Sequence, residues 1–395
     1  MRRFSILFAV ALLFGCNNDV DPINPGGVVD IPIDPLHRFI HFNADITSNA
    51  NDTRGALVEG TILMDDFAVL GYQYPGFWSA EKVFATPNVF DNMPQIVRYE
   101  GEIFTYGTPK VWTGNRYSFF AYYPSNHTAI TVFDDGKAKQ GDPYIIYTLP
   151  ISSDPRDLID VMTADNINTG VATSSTVGLQ FRHRLSAIDV GARNYYKYNH
   201  DNDATTPDRL VTIEIVNLEV NLTNVTSTSA KIYLDHTLPT ELNYVSPKAS
   251  ISYKMVDKDA EWAVSSFDVI PNTAADRAIR LVSTQSGENA SSLLLLPQEE
   301  KLHGALKLTY KNKNQDDNGN WVYLHEGNNP NDFEFNPDLA INFSKQLFEG
   351  NRYYIELTFT SDAVSVNIIA ADEWNGDHNG DGKVDEKDNI YHEFE

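Results

Sequence analysis

Apolar and polar positions alternate along most of this chain. From Phe39 the period is two. Ile40, Phe42, Ala44 and Ile46 fall on one side, and His41, Asn43 and Asp45 on the other. That pattern predicts a half-buried strand. Phe67-Ala68-Val69-Leu70-Gly71-Tyr72 and the aromatic run from Trp112 to Pro124 predict two more, and Pro143 to Leu149 is a further short apolar run. A polar, aspartate-rich stretch from Asn194 to Arg209 interrupts the pattern. Alternation resumes at Val211, Ile213 and Ile215, then at Leu218, Val220 and Leu222. Ser227–Tyr233, Leu293–Leu296, Leu306–Tyr310, Trp321–Tyr323, Tyr353–Phe359 and Val364–Ile369 complete the series. Asp134-Asp135-Gly136-Lys137 and Asp316-Asp317-Asn318-Gly319-Asn320 have the residues of tight turns. A helical period is sustained nowhere, and Asp154-Pro155-Arg156-Asp157-Leu158 opens a short helix only. An all-β chain is expected, with its domain boundary inside the polar stretch.

The first residues have a different character. Arg2 and Arg3 precede an apolar run, Phe4 to Phe14, broken only by Ser5. Such a run is too short for a bilayer-spanning helix, which needs roughly 20 apolar residues, and it suits an export signal. Leu13-Phe14-Gly15-Cys16 resembles a bacterial lipoprotein signal, which implies that Cys16 carries the lipid after cleavage. The alternative is an ordinary signal peptide with an incidental cysteine. Cys16 is the one cysteine of the chain, so no intramolecular disulfide forms. Asn17 to Pro35 is crowded with Pro and Gly and reads as an extended tether. The acidic residues just after Cys16 resemble a signal for transfer to the outer face of the outer membrane.

Composition narrows the function. The chain has 395 residues and a formal charge of −24. That charge argues against nucleic acids and acidic lipid surfaces as direct partners, and is compatible with a solvated surface protein and with divalent cations. The 20 Tyr and 21 Phe suit pleated, half-buried strands. No glycine-rich phosphate loop, paired metal-type histidine motif or heptad run is present.

Several segments resemble the fimbrillin-like proteins of Bacteroides-type bacteria. They are W-T-G-N-R-Y-S-F-F-A-Y-Y-P from Trp112, D-L-I-D-V-M from Asp157, and L-Q-F-R-H-R-L-S-A-I from Leu179. L-L-L-L-P-Q from Leu293, G-N-R-Y-Y-I-E-L from Gly350 and the terminal Glu373-Trp374 complete them. The resemblance implies two tandem transthyretin-like β-sandwich domains in an exported, lipid-anchored fimbrial subunit. The expected organisation is a signal at 1–15, a tether at 16–35, sandwiches at 36–205 and 206–374, and a tail at 375–395. The resemblance also implies proteolysis after a basic residue near Arg54. Such a cut would release Phe39–Ile46 and open a groove for a strand from another subunit. An ordinary exposed loop arginine is the alternative. Val364, Val366, Ile368 and Ala370 either reach out to a neighbour or complete their own sheet, and the second is expected.

The tail carries a motif with its own mechanism. D-H-N-G-D-G-K-V-D-E-K-D, Asp377 to Asp388, has the spacing of a twelve-residue calcium loop. Asp377, Asn379 and Asp381 supply oxygens at alternate positions, Gly382 allows the turn, and Lys383 offers its carbonyl. Asp385 and Asp388 complete the set. The last ligand is Asp, as in dockerin modules. A weakly held structural Ca2+ is expected, against the alternative of a flexible end without metal.

Other candidates weigh less. His183 has no nucleophile beside it in sequence and reads as a structural histidine. Asp154, Asp157 and Asp160 read as a solvated turn, and Tyr72, Tyr74, Phe77 and Trp78 as packing aromatics that alternatively stack on sugars. No catalytic constellation is present, so the chain reads as a non-enzyme. It is expected on the cell surface, as a fimbrial subunit, tip or accessory favoured, that binds other subunits by strand exchange and mediates adhesion. The alternative is a non-polymerising surface lipoprotein that binds a glycan or host protein.

Overall fold

The computed structural model describes residues 39–46, 63–91, 94–113, 115–132, 141–169, 176–198, 209–257, 259, 267–269, 279–281, 292–315, 321–323, 341–360 and 364–373. The described chain is nearly all β. Its first elements are β1 (His41–Ile46), β2 (Phe67–Tyr74), a one-turn helix α1 (Trp78–Glu81), β3 (Gln95–Glu100) and β4 (Ile103–Thr105). Next come β5 (Arg116–Tyr123), β6 (Ile130–Val132), β7 (Tyr144–Thr148), a 3-10 turn (Pro155–Asp157), β8 (Met162–Thr169), β9 (Thr176–His183) and β10 (Ser186–Asn194). Past two short strands, β11 (Lys197–Tyr198) and β12 (Arg209–Leu210), runs the long β13 (Thr212–Tyr233), then β14 (Glu241–Asp257). The rest are β15 (Phe267–Val269), β16 (Ile279–Leu281), β17 (Leu293–Leu295), β18 (Leu302–Gln315), β19 (Trp321–Tyr323), β20 (Ile341–Lys345), β21 (Asn351–Phe359) and β22 (Val364–Glu373).

Among the described residues these strands form three large sheets. The first has the order β1-β9-β8-β5-β2-β3-β4. Its middle strands are buried on both faces, which is why they read as continuous apolar runs rather than as alternation. In β2, Phe67 and Val69 enter one core while Ala68, Leu70 and Tyr72 enter another. In β5, Phe119 and Ala121 enter the first core and Phe120 and Tyr122 the second. The first core belongs to this sheet and its loops, from Ile40 to Phe181. The second continues through the strands of the later half as far as Phe359.

Strand pairing crosses the boundary expected from sequence. β11 and β12, on either side of residue 205, pair with each other. β6 pairs with β7, and β7 joins β13 from Tyr144↔Tyr233 to Thr148↔Ser229. β10 runs parallel to β21 from Ala187↔Arg352 to Asn194↔Phe359. A cut at residue 205 therefore separates strands that share a sheet. The physical reason is that pairing is set by long-range burial, and a polar stretch in sequence reports only a local loop.

β13 ties these parts together. It pairs with β18 from Thr212 to Thr223, with β14 from Asn217 to Lys231 and with β7 from Ser229 to Tyr233. Register shifts between Ile215 and Asn217 and between Leu222 and Val225 bend it on the way. Such bulges increase local twist and let one strand serve two directions. Gln298, the end of the L-L-L-L-P-Q segment, pins one bend. Its buried side-chain oxygen accepts from the Thr226 N–H at 2.8 Å, the Thr226 hydroxyl at 2.9 Å and the Ser227 N–H at 3.2 Å. A further shift falls between Val225 and Ser227, where Thr226 stands outside the paired positions, and Gln298 supplies the acceptor for its amide. β22 pairs with β21 from Phe359↔Val364 to Asn351↔Glu373, so this strand completes its own sheet.

Candidate functional site

β1 sits in a groove of the first sheet. Its residues alternate between exposed and buried, with Phe42, Ala44 and Ile46 turned inward, and Ile40, just before the strand, is buried on the same side. On one edge β1 runs parallel to β9, from His41↔Thr176 to Ile46↔Phe181. β9 has the same alternation, so Val177, Leu179 and Phe181 line the groove floor beside it. The other edge is closed by loop backbone. The Ile40 N–H donates to the Lys110 carbonyl at 2.8 Å, and the Leu63 N–H donates to the Ala44 carbonyl at 3.0 Å. The Tyr106 hydroxyl donates to the Ile40 carbonyl at 2.7 Å. Burial pushes the Tyr106 phenol above its ordinary pKa, against the opposing pull of the Lys110 N–H, so it stays a donor.

The groove's shape comes from aromatic rings. Phe42 lies among Phe119 (5.5 Å between ring centres), Tyr106 (5.7 Å), Phe67 (6.2 Å) and Phe90 (6.2 Å). Three of these contacts are edge-on, which suits the ring quadrupole. Phe90 reaches this place because the chain at Asn88 and Val89 crosses β2 at Gly71, both N–H groups donating to the Gly71 carbonyl. A Cβ at Gly71 would lie 2.7 Å from the Phe90 ring and 2.8 Å from Val89. Beside the groove, on the β3–β4 hairpin, is an open depression of about 410 Å³ lined by Gln95, Arg98, Glu100, Thr105 and Tyr106.

A second polar cluster lies where β8 and β9 meet the later half. His183 is buried with its Nδ1 3.0 Å from the Asp160 carboxylate, also buried. The structural role expected of His183 holds. Asp160, read as part of a solvated turn, is instead an interior acid, because the chain folds it under β9. Asp154 does cap the 3-10 turn, accepting from the Arg156 N–H at 2.9 Å. Arg184 pairs with Glu349 at 2.7 Å and donates to Thr240 at 3.0 Å. His236 contacts Thr163 through Nε2 at 2.9 Å and Asp165 through Nδ1 at 3.4 Å. Burial pulls the His236 pKa down to about 4, Asp165 opposes this, and Arg184 and Arg182 reinforce it. These contacts join the two halves, and the Thr163 hydroxyl that meets His236 is fully buried.

Cys16, Arg54 and the calcium positions Asp377, Asn379, Asp381, Lys383, Asp385 and Asp388 lie outside the described residues, as does the turn at Asp134. Among the described residues no cluster of His, Cys, Asp or Glu has the makings of a metal site. Among them, too, no helix is long and apolar enough to cross a membrane. Tyr72, Tyr74 and Trp78 are buried packing residues, and Phe77 is exposed with Arg116 4.2 Å over its ring. The sequence reading missed Leu63, Phe90, Tyr106 and Lys110, the far wall of the groove. They come from loops with no periodicity, and only the apolar inward face of β1 hinted that such a wall exists.

A family model described as fimbrillin-like matches residues 64–372. No curated protein sequence matches the chain. A fimbrial protein of Bacteroides vulgatus is 18% identical, with a TM-score of 0.54 over 84% of this chain and 99% of its own, and shares the overall fold. A candidate cell adhesion protein of Bacteroides ovatus is 15% identical, with a TM-score of 0.46 over 86% of this chain and 99% of its own.

Proposed function

The chain belongs to the fimbrillin-like family, and on that footing we propose that it is a cell-surface fimbrial subunit or adhesin, a structural protein that works by binding other subunits. The observation that carries the finer mechanism is β1. One short strand fills a groove through four alternate side chains and main-chain hydrogen bonds. These are the ingredients of strand addition, in which backbone bonds give affinity and side-chain pockets give specificity. Cleavage after Arg54 would free β1 and leave the groove to a strand from another subunit.

The rest of the proposal follows the sequence. Cys16 would carry the lipid and hold the protein at the outer membrane. The loop from Asp377 to Asp388 would bind Ca2+ as a structural clip, and that tail favours a tip or accessory role over a shaft role. The two-sandwich plan is kept with its dividing line redrawn. That line would run so that β6, β7 and β10 of the first half go with the later strands they pair with. A second reading, glycan capture, has the depression beside Tyr106 in its favour, with its amide, hydroxyl, aromatic and charged lining.

Limited trypsin digestion of the unlipidated mature protein tests the first reading. The expected result is one early cut after Arg54, followed by release of the segment containing residues 39–46 and uptake of an added labelled strand. A cut chain that keeps its segment and takes up nothing sinks strand exchange. Specific signals on a glycan array would then support the second reading.

A further inference from the structure

The walls that hold β1 also say which strand fits. The second inward position of β1, Phe42, lies inside four aromatic rings. The third, Ala44, is fully buried, and the Leu63 backbone closes on its carbonyl at 3.0 Å. The first and fourth, Ile40 and Ile46, are large, aliphatic and buried. Interiors are packed to near-crystal density, so a missing ring leaves a void and extra methylenes at the small position force the wall aside. The direction of the strand is fixed as well, because β1 lies parallel to β9.

We propose that the groove is selective: it takes an extended segment, parallel to β9, whose inward side chains read large aliphatic, aromatic, small, large aliphatic, and it rejects the terminal strand of a second copy of this chain. The inference rests on the strand-exchange reading above. β22 offers Val364, Val366, Ile368 and Ala370 at alternate positions. In that register it puts valine where the rings enclose Phe42 and isoleucine where Ala44 sits. Moved along by two residues, it brings Ala370 to the small position, still lacks the aromatic, and drives Asp372 into the apolar fourth place, where an unpaired carboxylate is costly. The opposite face, Ser365, Asn367, Ile369 and Ala371, begins with two polar groups. β22 of a second copy therefore does not fit the groove in any of these registers.

The test uses the full mature chain with a specific protease site inserted in residues 47–53, cut and freed of its N-terminal segment. Binding of labelled peptides is read by fluorescence anisotropy. The peptides are residues 38–48, the same with Phe42→Ala, the same with Ala44→Leu, and residues 362–372. The parent peptide is expected to bind. Phe42→Ala should weaken it by about 100-fold and Ala44→Leu by at least about tenfold. The β22 peptide should bind at least about 100-fold more weakly than the parent. The cut chain alone should stay monomeric in size-exclusion chromatography. Equal binding of all four peptides, or ladders of oligomers from the cut chain alone, would overturn the selectivity while leaving strand exchange standing. If even the parent peptide fails to bind, strand exchange falls and the selectivity with it.

Discussion

Acid should weaken this fold through His236. Its folded pKa is near 4, against about 6.5 for an unperturbed histidine, because burial penalises the charged ring. Asp165 at 3.4 Å favours the charge, and Arg184 and Arg182 oppose it. As pH falls, the unfolded chain takes up the proton first. The stability held by neutral His236 is therefore complete above about pH 6.5, declines as pH drops, and is fully lost below the folded value near 4. At pH 5 the two pKa values correspond to a loss of about 2 kcal/mol relative to pH 7.5. Carboxylates elsewhere also titrate in this range, so the absolute slope does not isolate the ring. The difference between wild type and His236→Gln does. Urea midpoints at pH 7.5, 6 and 5 should show wild type losing its advantage by about 2 kcal/mol over that interval, with the urea slope unchanged. Parallel stability curves for the two proteins would refute the argument, because they would mean that His236 binds its proton equally in both states.

Three other outcomes are expected. Gln298→Leu removes the acceptor shared by Thr226 and Ser227 and should cost about 2–4 kcal/mol in urea denaturation, since each buried amide left unpaired costs roughly 1–3 kcal/mol. Gly71→Ala places a methyl group against Phe90 and Val89 and should cost about 1–3 kcal/mol, with faster amide exchange at Phe42 as the sign that the rings around β1 have moved. Calorimetric titration of the mature protein with Ca2+ should give a single weak site, with a dissociation constant of roughly 0.1–1 mM, abolished by Asp381→Ala. No heat at several millimolar Ca2+ would refute the loop.

Much of the strand inventory was legible because burial on one face leaves a period of two. β1 shows it most plainly, from Ile40 to Ile46, and β9 repeats it. The continuous run of β2 was legible as a strand, though not as one shared between two cores, because both faces of a fully buried strand look alike in sequence. Partners were not legible. Nothing local in Tyr144–Thr148 says that it joins β13, and nothing in Ser186–Asn194 says that it lies along β21. The same limit hid Asp160, whose spacing from Asp154 and Asp157 suits a surface turn while its partner, His183, lies on another strand. The segments that resemble the family prove to be framework. Trp112 and Phe119 fill the first core, Gln298 pins a bulge, and Arg352 reaches the buried Asp189 at 2.6 Å. The groove was half legible, its strand visible in the pattern and its loop wall not.

The continuity of β13 bears on how the molecule responds to tension. Its 22 residues span roughly 70 Å at a strand's usual rise. At its far end it is laced to β7 from the first half of the chain, and along the rest to β14 and β18. A pull directed along β13 is carried along this backbone and across ladders whose bonds lie at right angles to it. Bonds loaded that way share the force and yield together, instead of peeling one by one as they would at a hinge. The two halves are therefore joined as in a lap joint, not strung on a linker, and resistance to stretching resides in the slow rupture of those ladders.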